Sequence, residues 1–422
     1  MIYEIVLIFL FTFLFLLNLS WIFIFFKKTE KKYKDFQPNV SVIIPAHNEQ
    51  DSIKETIQSV LDSDYKGKIE VIVVNDGSTD KTAEIVRSMK NSKIRLLHTN
   101  HVGKARALNY GVSKAKYEYI LFLDADSSLE KQTIKEIIKP LQDKSIASSS
   151  GAVRAKLTKN PLTWFQDFDY IVSSGWRYLS SKIGAVSVLP GFFAIKKSVF
   201  LKVNGFNADT LTEDFEITLR LAKAGYKAVA NPDAVMFTTT PSTLRSLLKQ
   251  RIRWGRGTLQ VLRKHKDIFA SKKSGPLGYY TLPTHLFWYV FSFLYLPSVL
   301  YWFFSGFYTY FISTGNVFSQ ESFLYIFRWL CSYGMFELLY RVSVGIYPLT
   351  ALLAITILNY FATVFYNILL FFRLGRIKLV HLFVYLFAFP YYFFITFAQF
   401  LTVLIELFNV VTKRNASNVW SK

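Results

Sequence analysis

Residues 5–26 are a strongly hydrophobic run of 22 residues without one charged side chain. As a helix this run extends about 33 Å, enough to cross the hydrocarbon core of a bilayer. A signal peptide would carry positive charge ahead of the run and a small-residue cleavage site behind it, and neither is found, so the segment is expected to be a retained anchor. Lys27, Lys28, Lys31, Lys32 and Lys34 follow it, whereas Glu4 alone precedes it. By the positive-inside rule the N-terminus faces outside and the next domain is cytoplasmic.

The C-terminal third extends the same argument to a multi-pass protein of the cell membrane. Residues 284–311 are aromatic and uncharged, a second spanning candidate. Residues 323–344 are interrupted by Arg328, Glu337 and Arg341, and fit a helix on the outer surface or one facing a polar pore. Residues 343–372 are apolar again and end at Arg373, Arg376 and Lys378. The stretch 379–411 is long enough for one crossing, but that would leave Lys413, Arg414 and Lys422 outside, against the positive-inside rule. Pro390 within it predicts a broken segment that returns the tail to the cytoplasm. These segments account for an aromatic content of 18%. The formal charge of +21 is compatible with nucleic acid, anionic lipid or an anionic substrate. No nucleic-acid module is present, which leaves the lipid bilayer and a phosphorylated substrate. Cys331 is the only cysteine, so no internal disulfide forms, and the six histidines show no ligand spacing.

Between these membrane regions the pattern changes. Short apolar runs at 40–45, 69–74, 94–97 and 119–123 alternate with helical spacing at 53–61, 82–89 and 104–115. That alternation predicts a mostly parallel sheet covered by helices on both faces, with ligands at the carboxyl ends of the strands. The polar residues of interest fall at those ends. Asp76 follows the second run, and Asp124 and Asp126 follow the fourth as Asp-Ala-Asp, where two carboxylates one residue apart can project to the same side. A hard divalent cation takes one or two such carboxylates together with phosphate oxygens and water, although Asp-x-Asp by itself more often marks a turn or cap. Lys104 and Arg106 open a helix whose N-terminal amides already favour anions. Glu213 and Asp214, after Thr212, open another, and in isolation they describe an N-cap with acidic first-turn residues equally well.

Residues 244–262 predict an amphipathic helix. Gln250, Arg253 and Trp254 share one face, and Leu244, Leu248, Ile252, Leu259 and Leu262 the other. Its position between the soluble and membrane regions predicts a helix lying at the bilayer surface with its leucines on lipid.

Taken together, the chain resembles the processive membrane glycosyltransferases of family 2, the cellulose, hyaluronan and poly-N-acetylglucosamine synthases. The resemblance rests on Ile44-Pro45-Ala46-His47-Asn48-Glu49, Asn75-Asp76-Gly77-Ser78-Thr79-Asp80, Gly103-Lys104 with Ala107-Leu108-Asn109, Asp124-Ala125-Asp126, Thr212-Glu213-Asp214, and Gln250 with Arg253-Trp254. Pro190-Gly191, Gln250-Arg251-Ile252-Arg253-Trp254 and Arg263-Lys264-His265 lean it toward the poly-β-1,6-N-acetylglucosamine branch, and the basic, Trp-bearing stretch from Thr412 to Trp420 is similar to the tails of that branch and of the hyaluronan enzymes. The resemblance implies a GT-A type fold and transfer from a UDP-sugar, N-acetylglucosamine being the expected sugar, to a growing β-linked glycan with inversion. It assigns Asp214 as the catalytic base. Glu213, Trp254 and Gln250 would line the acceptor site, and Asp76, Lys104, Asp124 and Arg253 would hold the nucleotide sugar. Asp126, with Asp124, would ligate Mg2+ or Mn2+. It leaves room for a small accessory membrane subunit.

The expected organisation is therefore an anchor at 1–26, a basic linker at 27–37, a GT-A domain at 38–240, and an interface helix with its connector at 241–282. A helix bundle at 283–411 and a basic tail at 412–422 complete it. Two other functions fit parts of the pattern. One is a non-processive glycosyltransferase adding a single sugar to a lipid-linked acceptor; the other is an inactive membrane scaffold or channel.

Overall fold

A computed structural model describes residues 2–28, 33–375 and 378–412. Lys31, Lys32 and Arg376, and the tail residues 413–422 with Lys413, Arg414, Trp420 and Lys422, lie outside the described residues.

Among the described residues eight strands form one sheet: β1 (Val40–Ala46), β2 (Ile69–Asp76), β3 (Ile94–Thr99), β4 (Tyr119–Phe122), β5 (Ser127–Leu129), β6 (Ile146–Ala155), β7 (Phe193–Lys196) and β8 (Lys227–Thr238). Their order across the sheet is β3-β2-β1-β4-β7-β6-β8-β5. The first four are parallel to one another, as the alternating sequence predicts. Beyond β4 the sheet is mixed. β7 runs antiparallel to both β4 and β6, β8 is parallel to β6, and β5 is antiparallel to β8.

Alternation along the strands builds a core on each face. In β1, Val40, Val42 and Ile44 enter one apolar cluster, with Ile53 and Ile57 of the helix Ile53–Leu61 beneath them. Ile43 points the other way and meets Ile72, Val74 and Leu108 of the helix Lys104–Lys114. A sheet buried on both faces needs near-continuous apolar strands, and β1 and β2 have them. The helix Lys104–Lys114 approaches closely because Gly111 lies against Ile43, where a Cβ would stand 2.5 Å from Ile43 Cγ2.

Among the described residues four helices are long and apolar enough to cross a membrane: Tyr3–Phe26, Leu277–Ile312, Ala351–Leu374 and Ala388–Val411. The first three pack with the helix Pro161–Lys182 of the sheet domain around Leu10, Leu17, Phe168, Phe291, Tyr366 and Leu370. Polar contacts tie the first and third together: Asn18 Nδ2 donates to Thr363 Oγ1 at 3.1 Å, and Asn359 Nδ2 to the Phe11 carbonyl at 2.6 Å. Away from water such bonds act as interhelical glue. Residues 323–344 divide into Gln320–Leu330 and Tyr333–Ser343, and Glu337 pairs with both Arg328 and Arg341. Two of the charges that interrupt this hydropathy profile are thus drawn to the third, leaving one net positive charge. The stretch 379–411 is broken as Pro390 predicts, at Phe387, into Leu379–Leu386 and Ala388–Val411.

The helix expected at 244–262 spans Leu244–Lys264, with Thr243 and Ser246 forming a capping box. Its environment differs from a simple lipid-facing stripe. Leu262 is buried in a cluster with Phe215, Leu219 and Leu282, while Leu244 is exposed. Gly255 and Gly257 are buried in contact with neighbours: a Cβ on Gly255 would stand 2.8 Å from Thr402 Oγ1, and one on Gly257 2.5 Å from Thr212 Cγ2. The helix is thus wedged between the last long helix and the loop that leads to Glu213.

Candidate active site

Three segments meet at the carboxyl end of the parallel strands. The chain leaves β2 at Asp76, whose buried carboxylate accepts from Thr99 Oγ1 and the Val102 amide, each at 2.7 Å, and from the Gly103 amide at 2.8 Å. These bonds fix the loop 99–103. Gly103, with φ +89°, then turns the chain into the helix Lys104–Lys114, a backbone angle that favours glycine. His101 of this loop meets His47 with the rings tilted by 37° and their centroids 4.3 Å apart, and the His47 ring lies 2.7 Å from the Asp76 carbonyl.

Lys104 is carried inward by that turn. Its Nζ lies 2.7 Å from Asp124 Oδ1 and 3.6 Å from Glu213 Oε1. Burial opposes the charge on Lys104, but Asp124 and Glu213 outweigh it and raise the ammonium above its ordinary value. Asp124, Lys104, Glu213 and Asp214 line one narrow recess, together with Phe206 and Gly191. A wider cavity of about 240 Å³ adjoins it, sharing Lys104 and Glu213 and bounded by His101, Gly103, Thr210 and Arg253.

Glu213 and Asp214 occupy the first turn of the helix Glu213–Lys223. Thr212 stands at the N-cap but makes no side-chain cap bond; Asp214 Oδ1 accepts instead from the Phe215 amide at 2.8 Å. Burial pushes the Asp214 carboxyl up to about 7, and the neighbouring Glu213 charge adds to the rise. A carboxylate with its pKa near neutrality is suited to accept a proton at working pH.

Asp126 is also raised, by burial first and then by Asp124. Its Oδ1 accepts from Thr238 Oγ1 and Ser127 Oγ, both at 3.2 Å. No cluster of three or more ligating side chains is present among the described residues. The mutually repelling pair Asp124 and Asp126 nevertheless fits a hard divalent cation, which takes one or two carboxylates and completes its shell with phosphate and water.

The interface helix supplies the far wall. Arg253 faces the wider cavity. Trp254 packs at the border of the sheet core and lies 6.4 Å, centroid to centroid, from Tyr170. Gln250 Oε1 is buried without a partner. Gln166, one turn before Tyr170, donates to the Leu162 and Pro241 carbonyls.

Sequence reasoning missed several residues here. Arg251, adjacent to the residues it singled out, pairs with Asp169 at 2.7 Å and stacks 4.7 Å from the Trp254 ring centre, a cation–π geometry. Only the helical phase of Asp169 beside Tyr170 hinted at this. Arg177 is buried on the same helix as Asp169, and its Nε lacks a partner. Gly191, read from the sequence only as part of Pro190-Gly191, touches the recess directly: a Cβ there would stand 2.3 Å from Asp124 Oδ2.

Comparison with known proteins bears on this arrangement. Residues 41–203 match the family model described as Glycosyl transferase family 2. A poly-beta-1,6-N-acetyl-D-glucosamine synthase of Staphylococcus aureus (strain MSSA476) is 32% identical over 248 residues, 58% of this chain and 60% of the relative. The synthase of that name from Staphylococcus epidermidis is 32% identical over 249 residues. The chain therefore spans 60% of the length of the curated relatives it matches. Among solved structures, a mannosyltransferase from Pyrobaculum calidifontis in complex with GDP-Man and Mn2+ aligns with a TM-score of 0.59 and 21% identity, over 87% of this chain and 98% of its own. That likeness is one of fold.

Proposed function

We propose, from the match of residues 41–203 to the glycosyl transferase family 2 model, that the chain is an inverting membrane glycosyltransferase. It transfers N-acetylglucosamine from UDP-N-acetylglucosamine to a growing β-linked polysaccharide and couples that growth to export through its membrane helices. The observation that carries this reading is the meeting of Asp124, Lys104, Glu213 and Asp214 in one recess, with Arg253 on the far side of the adjoining cavity. Identity of 32% to poly-beta-1,6-N-acetyl-D-glucosamine synthases supports the choice of sugar and product.

In this reading Asp214 accepts the proton of the acceptor hydroxyl as its oxygen forms a bond to the anomeric carbon. The bond from that carbon to the diphosphate oxygen breaks on the opposite face, and its electron pair leaves with the nucleoside diphosphate, so the configuration inverts. Lys104 and Arg253 place two cations beside the departing diphosphate. Asp126 and Asp124 would hold a divalent cation, Mg2+ or Mn2+, which would neutralise charge on the leaving group. Asp76 holds the loop 99–103 that borders the donor cavity. Glu213, Gln250 and Trp254 face the acceptor, Trp254 offering an apolar platform to a sugar ring. The catalytic domain lies on the cytoplasmic side and the N-terminus outside, as Lys27 and Lys28 after the anchor support. The partners are the UDP-sugar, the glycan, the bilayer and a small accessory membrane subunit.

Membranes containing the chain, supplied in turn with a panel of UDP-sugars and with Mg2+ or Mn2+, provide the test. Consumption of UDP-N-acetylglucosamine with formation of long product, both abolished by EDTA, is expected. One sugar added per acceptor under saturating donor overturns processivity, and no donor consumed with either metal overturns transfer.

A further inference from the structure

The basic stretch Arg263-Lys264-His265 at the end of the interface helix has no part in the transfer chemistry, yet two of its residues meet the helix that carries Asp214. Glu216 lies one turn into that helix and is fully buried. Its Oε1 accepts from Lys264 Nζ at 2.8 Å, Arg220 Nε at 3.0 Å, Asn207 Nδ2 at 3.2 Å and the His265 ring at 3.3 Å. Its Oε2 lies 2.7 Å from an Arg220 terminal nitrogen. Burial alone would push the Glu216 carboxyl up, but the bonds from His265, Arg220 and Lys264 outweigh it and hold it well below the usual range.

The same helix end also grips the loop that precedes the acidic pair. Lys264 Nζ is 2.7 Å from Asp209 Oδ2. One turn earlier, Gln260 Oε1 accepts from the Leu211 amide at 3.1 Å, and Gly257 lies against Thr212. Arg220 closes the base of this loop by donating to the Gly205 carbonyl at 2.6 Å. Residues 205–212 are therefore attached to the C-terminal half of a helix whose N-terminal half carries Gln250, Arg253 and Trp254.

We infer that Gln260, Lys264 and Glu216 form a latch through which the interface helix sets the position of Asp214, so that they act as positioning residues for the transfer step. The inference rests on the proposed role of Asp214. A rigid helix touching the acceptor platform at one end and the base loop at the other fixes both to one frame. Loosening the latch leaves Lys104 and Arg253, the donor's cations, in place because they lie outside residues 205–212, but it lets the base drift from the acceptor hydroxyl, and a misplacement of about 1 Å costs up to about a hundredfold in rate.

The test uses the full chain in detergent or nanodiscs, with Lys264→Ala, Gln260→Leu and Lys264→Arg, and two readouts. Amide exchange across 205–214 should quicken in the first two variants while β2 stays protected. In those variants kcat should fall about tenfold or more with the donor KM within about twofold, and Lys264→Arg, which can still reach Asp209 and Glu216, should recover most of both losses. Unchanged exchange at Leu211 overturns the latch whatever the activity. Quickened exchange with unchanged kcat, or kcat and KM failing together without recovery by Lys264→Arg, overturns the positioning role. Asp214→Asn run alongside separates the two claims: if it transfers at the wild-type rate, the assignment of the base fails, and the latch is then decided by exchange alone.

Discussion

Lys104 Nζ stands 2.7 Å from Asp124 Oδ1, joining the helix after the third strand to the loop after the fourth. Glu213 completes the cluster at 3.6 Å from the same nitrogen. One ammonium thus holds two carboxylates of the recess together, and removing it leaves them to repel each other in a partly buried site. Lys104→Met should lower transfer about a hundredfold, and Lys104→Arg should lower it less. Initial rates of nucleoside diphosphate release measure both, and a Lys104→Met enzyme with unaltered rate would show that the ammonium serves packing alone.

Gly191 guards the other side of the same carboxylate. Any Cβ there must displace Asp124 Oδ2, 2.3 Å away. Gly191→Ala should cut the transfer rate at least about tenfold through loss of Asp124 geometry, with the thermal midpoint shifted by only a few degrees, about what 1 kcal/mol of local strain produces. A large fall in the midpoint accompanied by full activity per folded molecule would contradict this.

The pH dependence follows from Asp214. Burial and Glu213 raise its carboxyl to about 7, so the ionised base accumulates only as pH rises through that value. Transfer should climb across pH 6 to 8, in proportion to the ionised fraction, and then level. The stability linkage has the opposite sign. The folded state holds this proton more tightly than the unfolded chain, whose ordinary value is 3.8, so the contribution of Asp214 to stability is present below about pH 4 and is lost as pH rises through about 7. Rate profiles and denaturation midpoints over that window check the two signs together.

The first four strands are legible because apolar runs and helical spacing alternate there. The last four hide for separate reasons. β6 is rich in Ala, Ser and Gly, yet all of its residues are buried, so burial is not matched by a β-branched pattern. β8 contains Pro232, and its pairing with β6 slips near that point, between Ser150 and Ala152, as a residue without an amide donor requires. At the site, residues adjacent in a motif were readable, whereas Gly191 against Asp124 depends on an antiparallel crossing of β4 and β7 that periodicity does not encode. Arg251 with Asp169 similarly joins two helices far apart in sequence.

In the proposed reading Trp254 serves the acceptor and not the donor. The Arg251 guanidinium lies 4.7 Å from its ring centre and 5.9 Å from that of Tyr170, whose ring is 6.4 Å from Trp254, and Arg251 is anchored in turn by Asp169. Trp254→Ala should reduce polymer yield about tenfold or more, since sugar stacking on such a platform is worth about 1–3 kcal/mol by analogy with other stacked rings, while donor affinity by titration stays within about twofold. Equal losses of polymer yield and donor affinity would mean that the ring supports the fold of the site rather than the acceptor.

The last long helix makes a topological prediction. Ala388–Val411 is long and apolar enough to cross a membrane, and a crossing would carry Thr412 about 30 Å from the catalytic side. Its contacts argue otherwise. Near its start, Tyr391 Oη accepts from Arg251 at 3.2 Å; near its end, Arg256 Nε donates to Glu406 Oε1 at 2.8 Å, with Thr402 against Gly255 between them. All three partners lie on one short stretch of the interface helix, from Arg251 to Arg256, so the last helix is expected to stay against that helix with Thr412 on the side of the sheet domain. Thr412→Cys in a Cys331→Ser background should react with an impermeant maleimide only from the face that exposes a control cysteine at Ser92 in the sheet domain. Reaction from the opposite face alone would place a full crossing between Phe387 and Thr412 and overturn that expectation.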